Sequence, residues 1–248
     1  MIERLPRIVL LFAAAALLMV ALSGPGYRLE MFKLSVAFGL LRAGGYVAIV
    51  AAAAAIVLAI FVRRNPGRFA QPNAFALVCL AIVAGLVGAT YPVMMMWQSK
   101  HVPPIHDITT DLANPPGFVS LAPVRVSAGA ANPVTYGGET VAAQQRAAFA
   151  DIKPLRTHSP PAETFQRALA AARDMGWRII SESSAEGRIE ASDTTPFFGF
   201  IDDVVVRISA EGAGSRVDVR SLSRIGRSDL GANARRVANY LAKLGAAG

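Results

Sequence analysis

Three long stretches without a charge fill most of the first 98 residues, and they constrain the fold of this chain more than any other feature. Ile8 to Leu22 is uninterrupted and apolar behind Arg4 and Arg7, Gly44 to Val62 is the second such run, and Ala74 to Trp97 is the third. Lipid offers no partner to a bare peptide group, so runs of this kind cross a bilayer as helices of about 20 residues. They predict a membrane anchor over residues 1–98, with spans at about 8–23, 44–62 and 74–97. The first run is short for a span, and Ala21-Leu22-Ser23 before Gly24 resembles a signal-peptidase site behind a positive start. It reads as a retained anchor, with a cleaved signal peptide as the alternative.

Orientation follows from the cations in short loops. Arg4 and Arg7 precede the first span, and Arg63, Arg64 and Arg68 lie between the second and third, so both segments belong on the cytoplasmic side. The C-terminal part is then exported, which places the protein in a bacterial inner membrane with a periplasmic domain. Met31 to Leu41, between the first two spans, reads as an amphipathic piece lying along the interface. Ala81, Gly85 and Ala89 form a small-residue stripe on which another helix could pack.

The net charge of +8 invites a nucleic-acid reading. Residues 1–98, however, carry 8 basic and 2 acidic side chains, and residues 99–248 carry 17 and 15. Most of the basicity is therefore topological, and nucleic acid is not an expected partner. The lone cysteine, Cys79, falls inside the third span, so the exported part can rely on neither an intrachain disulfide nor a cysteine-based zinc site.

Residues 99–138 are rich in Pro, Gly and Ala and read as an extended connector without long helices. Residues 139–248 read as a soluble domain. Glu139 to Ile152 has helical composition. Pro160 and Pro161 open a second helix with Phe165, Ala168, Leu169 and Ala172 on one face and Gly176 beyond its end. Trp177–Glu182 and Arg188–Ala191 read as strands. Asp203 to Ile208 and Arg216 to Arg220 then flank Glu211-Gly212-Ala213-Gly214, a β-hairpin signal. If Ala210 and Ser215 close its loop, Ile208 faces Val217 and Val206 faces Val219 on the core side, while Arg207 lies opposite Asp218 on the other. Ser228 with Asp229 predicts the start of a last helix, with Leu230, Ala234, Val237, Leu241 and Leu244 as its buried stripe and Gly245 at its end. The fold class is therefore α+β: three N-terminal transmembrane helices, then a four-stranded antiparallel sheet with helices packed on it.

The wording of this region is specific. Phe200-Ile201-Asp202-Asp203-Val204-Val205-Val206-Arg207, followed by the run from Arg216 through Ser221-Leu222-Ser223-Arg224-Ile225-Gly226-Arg227 to Arg236, resembles the uncharacterised bacterial and plastid family called domain of unknown function 1499. Ile105-His106-Asp107-Ile108-Thr109-Thr110-Asp111 resembles the family's opening segment. The resemblance brings no established activity and no catalytic residue.

Common enzyme motifs lack their parts: there is no Gly-x-Ser-x-Gly and no glycine-rich phosphate loop. Seven arginines stand against three acids between Arg207 and Arg236, and two readings of them stay open. One is an anion site built with Ser221, Ser223 and Asn233 at a helix N-terminus. The other is a ladder of ion pairs, Arg207 with Asp218 and Arg220 or Arg224 with Asp203 or Asp229, joined by Asp202 and Arg236. His106 and Asp107 are weak metal candidates, without a partner at a metal-motif spacing. The reading that follows is a membrane-tethered binding or scaffolding domain without a cofactor. Its partners would be the lipid bilayer and either an envelope protein or an anionic headgroup. The alternative is an envelope hydrolase or metal-assisted enzyme using His106, Asp107 and Asp202 or Asp203, which requires those groups to converge in one cleft.

Overall fold

The structure, a computed structural model, describes residues 2–69 and 72–246. The outer ends drawn above for the anchor, Met1, and for the soluble domain, Gly248, lie outside the described residues. Two compact units result, one of residues 1–97 with 197–199 and one of residues 98–196 with 200–248.

The first unit contains α1 (Leu5–Arg28), α2 (Leu34–Arg64) and, as far as Trp97, α3 (Ala74–His101). With mean hydropathies of 2.4, 2.7 and 2.2 in their most apolar windows, all three are long and apolar enough to cross a membrane. Of the amphipathic piece Met31 to Leu41, residues 34–41 form the first turns of α2. No proline interrupts this stretch, so one 31-residue helix of about 46 Å continues from it into the second span. Glycines bring the helices close. A Cβ on Gly85 would lie 2.9 Å from the Ala48 carbonyl, and one on Gly44 would lie 3.0 Å from the Ala16 carbonyl. The Ala81, Gly85 and Ala89 stripe thus packs on α2, as small residues allow where lipid supplies no hydrophobic driving force.

The second unit contains β1 (Asp107–Thr109), α4 (Leu121–Ser127), α5 (Gly138–Ala148), β2 (Leu155–Thr157), α6 (Pro161–Asp174), β3 (Arg178–Ser183), β4 (Arg188–Thr194), β5 (Ile201–Glu211), β6 (Gly214–Ser223) and α7 (Ala232–Ala246). The sheet is antiparallel, in the order β1-β6-β5-β4-β3, with β2 also on β6. It has six strands rather than the four expected. The two additional strands are three residues each, too short for an alternation to show. The β5–β6 hairpin pairs as its alternation predicts: Ala210 with Ser215, Ile208 with Val217, Val206 with Val219 and Arg207 with Asp218.

Alternation gives the sheet two different faces. Val204, Val206, Ile208, Val217 and Val219 pack on Phe165, Ala168 and Leu169 of α6 and on Ala234, Val237 and Leu244 of α7. Trp177 stacks on Tyr240 with ring centroids 4.8 Å apart, and the Tyr240 hydroxyl donates to the Ala168 carbonyl at 2.9 Å. Burying each large apolar side chain contributes roughly 1.5–3 kcal/mol. The opposite face is covered as well. Phe118 and Leu121 pack there on Val205 and Leu222, so the Pro-rich segment supplies a third layer over the sheet. Gln145 of α5 closes the free edge of β1: its side-chain oxygen accepts from the Thr109 N–H at 3.0 Å and its amide donates to the Thr109 carbonyl at 2.6 Å.

The last helix starts four residues after Ser228. Leu230 and Gly231 adopt positive φ values of 54° and 77°, so the chain turns before α7 begins. Asp229 caps the helix by accepting from the N–H groups of Gly231 and Asn233, both at 2.8 Å.

Candidate functional site

The polar residues of the hairpin gather into separate clusters, because strand neighbours point to opposite faces. Asp203 faces the Pro-rich layer and is fully buried. Arg224 grips it with two bonds of 2.9 Å, Arg125 of α4 donates to it at 2.7 Å, and Ser192 of β4 donates at 2.6 Å. Burial alone would raise this carboxyl, but the bonds from Arg224, Ser192 and Arg125 outweigh it and hold the group below the usual carboxylate range. Arg125 also donates to the carbonyls of Asn132 and Ser223, and burial lowers its pKa.

On the same face, Asp107 of β1 receives a two-bond fork from Arg220 at 2.9 and 2.8 Å. The Arg220 guanidinium lies 5.2 Å from the Phe118 ring centre and 5.5 Å from that of Tyr136. It is therefore sandwiched between aromatic faces, a setting in which arginine and lysine are not interchangeable. The Tyr136 hydroxyl is buried with no hydrogen-bond partner, and burial pushes its pKa up to about 12.

Asp202, one residue from Asp203, lies on the helix face. It pairs with Arg236 of α7 at 2.7 Å, and Arg236 also reaches Asp193 at 2.7 Å. Ser221 donates to the Asn233 oxygen at 2.7 Å, and the Asn233 amide donates to the Ser223 hydroxyl and the His106 carbonyl, both at 3.0 Å. Arg207 and Arg216 share Asp218 and Asp111 at the other end of the hairpin. Across the first three clusters four arginines (125, 220, 224, 236) meet four aspartates (107, 193, 202, 203), so these clusters balance in charge as a set.

These positions divide the sequence candidates. Arg224 meets Asp203 and Arg207 meets Asp218, whereas Arg220 takes Asp107 in place of Asp203 or Asp229. Asp229 serves as a helix cap, and burial raises its pKa. His106 and Asp107 do not act together: the His106 Nδ1 lies 3.3 Å from the Arg227 carbonyl, while both Asp107 oxygens are taken by Arg220. Among the described residues no three His, Cys, Asp or Glu side chains gather as metal ligands.

Sequence reasoning missed Arg125 and Glu190. Glu190 of β4 is fully buried and accepts from the N–H groups of Val119, Ser120 and Leu121 at 2.9, 3.1 and 2.7 Å. It thereby caps α4 from a strand some 70 residues away, a separation over which no local pattern could have given a signal.

A family model described as a protein of unknown function, DUF1499, matches residues 107–244. The chain belongs to the DUF1499 family. The match opens on the first residue of β1 and closes on Leu244, the last buried residue of α7, so the DUF1499 segment contains the whole sheet and both of its covering layers. No curated protein matches the chain. The DUF1499 description names no reaction, and the geometry above carries the functional argument.

Proposed function

We propose that this is a bacterial inner-membrane protein whose three helices tether a periplasmic binding or scaffolding domain, and that its arginine-rich region is the internal frame of that domain. The observation that carries this reading is the commitment of Asp107, Asp202 and Asp203 to three different ion pairs on two faces of the sheet. A hydrolytic or metal-assisted centre needs unspent carboxylates converging on one cleft. An anion site needs cations free to meet it; Arg220 and Arg236 are neutralised by their own carboxylates, and Arg224 is buried on Asp203, which it shares with Arg125.

A partner would meet a different surface. Val119, just before α4, and Pro123 and Val126 on its outer side recur at helical spacing and are exposed, Val126 to 81%. The envelope protein we assign as partner would contact this apolar strip. The cations between α2 and α3 support the periplasmic assignment.

The test begins with the thermal stability of the full chain in detergent, titrated with phosphate and separately with a divalent metal. A ligand at a hundred times its dissociation constant should add about 2.7 kcal/mol. The scaffold reading expects no shift from either. A metal shift that disappears in His106→Ala would restore the enzyme reading. A photo-crosslinking residue at Val126 should then give one discrete adduct in membranes, and the same residue at Gln144 of α5 should give none.

A further inference from the structure

The helical unit carries a second polar feature unrelated to the arginine–aspartate clusters. A groove of about 350 Å³ opens between the start of α2 and the end of α3, lined among others by Gly39, Arg42, Tyr46, Ile49, Pro92 and Met96. Its volume falls within the range of about 300–1,000 Å³ typical of small-molecule pockets. Glycine shapes it at two points. A Cβ on Gly39 would meet nothing within 4 Å, so the missing side chain leaves open space, and a Cβ on Gly45 would come within 2.7 Å of Pro92, so the two helices close together below.

Arg42 is the only charged residue of this lining. It stands two residues before the uncharged stretch Gly44 to Val62, which puts it at the edge of the hydrocarbon layer. Its side chain is exposed and, among the described residues, no carboxylate lies within ion-pair distance of it. An arginine at that depth keeps its charge and is expensive without a counter-ion. Tyr46, one helical turn deeper and 57% exposed, has the amphipathic ring favoured at the membrane interface.

We propose that this groove holds one anionic glycerophospholipid, its phosphate on Arg42 and an acyl chain along Gly45, Ile49 and Pro92. The groove opens from the side of apolar helices, where the surrounding molecules are lipids, and its single fixed charge selects an anionic headgroup. The guanidinium fork matches phosphate oxygens in geometry as well as in charge.

Native mass spectrometry of the full chain, released from detergent containing equimolar phosphatidylglycerol and phosphatidylcholine, tests the proposal. The wild type should retain one phosphatidylglycerol in preference to phosphatidylcholine. Arg42→Gln should weaken that retention about fivefold, the effect of one cation near an anionic surface. Gly39→Leu, whose Cβ enters open space at the groove, should also reduce it. Arg64→Gln removes one charge at the far end of α2 and should leave retention unchanged. Equal losses in Arg42→Gln and Arg64→Gln would overturn the proposal in favour of diffuse attraction. So would the absence of a headgroup preference, or a lipid-free dimer with the groove covered by a second copy.

Discussion

At the scale of single residues, Asp203 is where the domain is most exposed to one change. Two guanidiniums converge on its carboxylate, and removing the anion leaves both buried without a counter-charge. Breaking a buried pair in this way costs roughly 3–5 kcal/mol. Asp203→Asn preserves shape and isolates the charge, so it should lower the unfolding free energy by about that amount, followed through the buried Trp177 in a Trp97→Phe background. The pH dependence has a definite sign. Because the folded carboxyl is held below its ordinary value, its contribution is complete above an unfolded pKa of about 3.9 and is lost as pH falls through the lower folded value. The wild type should therefore weaken in acid below about pH 4, and Asp203→Asn should flatten that part of the profile. A variant within about 1 kcal/mol of wild type at neutral pH would mean that the pair adds nothing the remaining carbonyl acceptors cannot replace.

At the scale of elements, what the sequence revealed depended on how far apart interacting residues lie. The hairpin was legible down to its register because Val204, Val206 and Ile208 alternate against Val217 and Val219 over a short loop, and a slip of one residue would turn that set to the opposite face. The Arg207–Asp218 pair was legible for the same reason. The Asp107–Arg220 and Arg125–Asp203 pairs were not, since their partners are more than 70 residues apart and no alternation links them. α4 was hidden further, because Pro123 and its neighbours argue against a long helix and the seven residues that do coil are held by Glu190. That dependence is testable. Glu190→Ala withdraws a carboxylate from three N–H groups, and hydrogen bonds to a charged group are each worth about 1.5–3 kcal/mol. Amide exchange should quicken across Phe118 to Ser127 while α6 and α7 keep their protection. Uniform acceleration throughout the sheet would show that the α4 layer and the helix layer unfold as one unit.

At the scale of the whole molecule, the single cysteine makes the side of the membrane that holds the DUF1499 domain directly measurable. Cys79 lies within α3, so the domain contains no thiol to oxidise and depends on its core and ion pairs in either compartment. Sequence alone favours export, because Arg63, Arg64 and Arg68 crowd the short connection between α2 and α3, and cations there resist translocation. Arg28, Lys33 and Arg42 lie between the first two uncharged runs and offset part of that bias. In a Cys79→Ser background, Gly67→Cys places a thiol in the α2–α3 connection, where a Cβ meets nothing within 4 Å. Ala128→Cys places one on the exposed end of α4. A membrane-impermeant maleimide applied to intact spheroplasts should modify the thiol at position 128 and reach position 67 only after the bilayer is opened. The reverse pattern would put the domain in the cytoplasm, where an envelope partner could not reach the strip on α4. Labelling at both positions before opening would mean that the connection is itself exported, which is incompatible with α3 crossing the membrane.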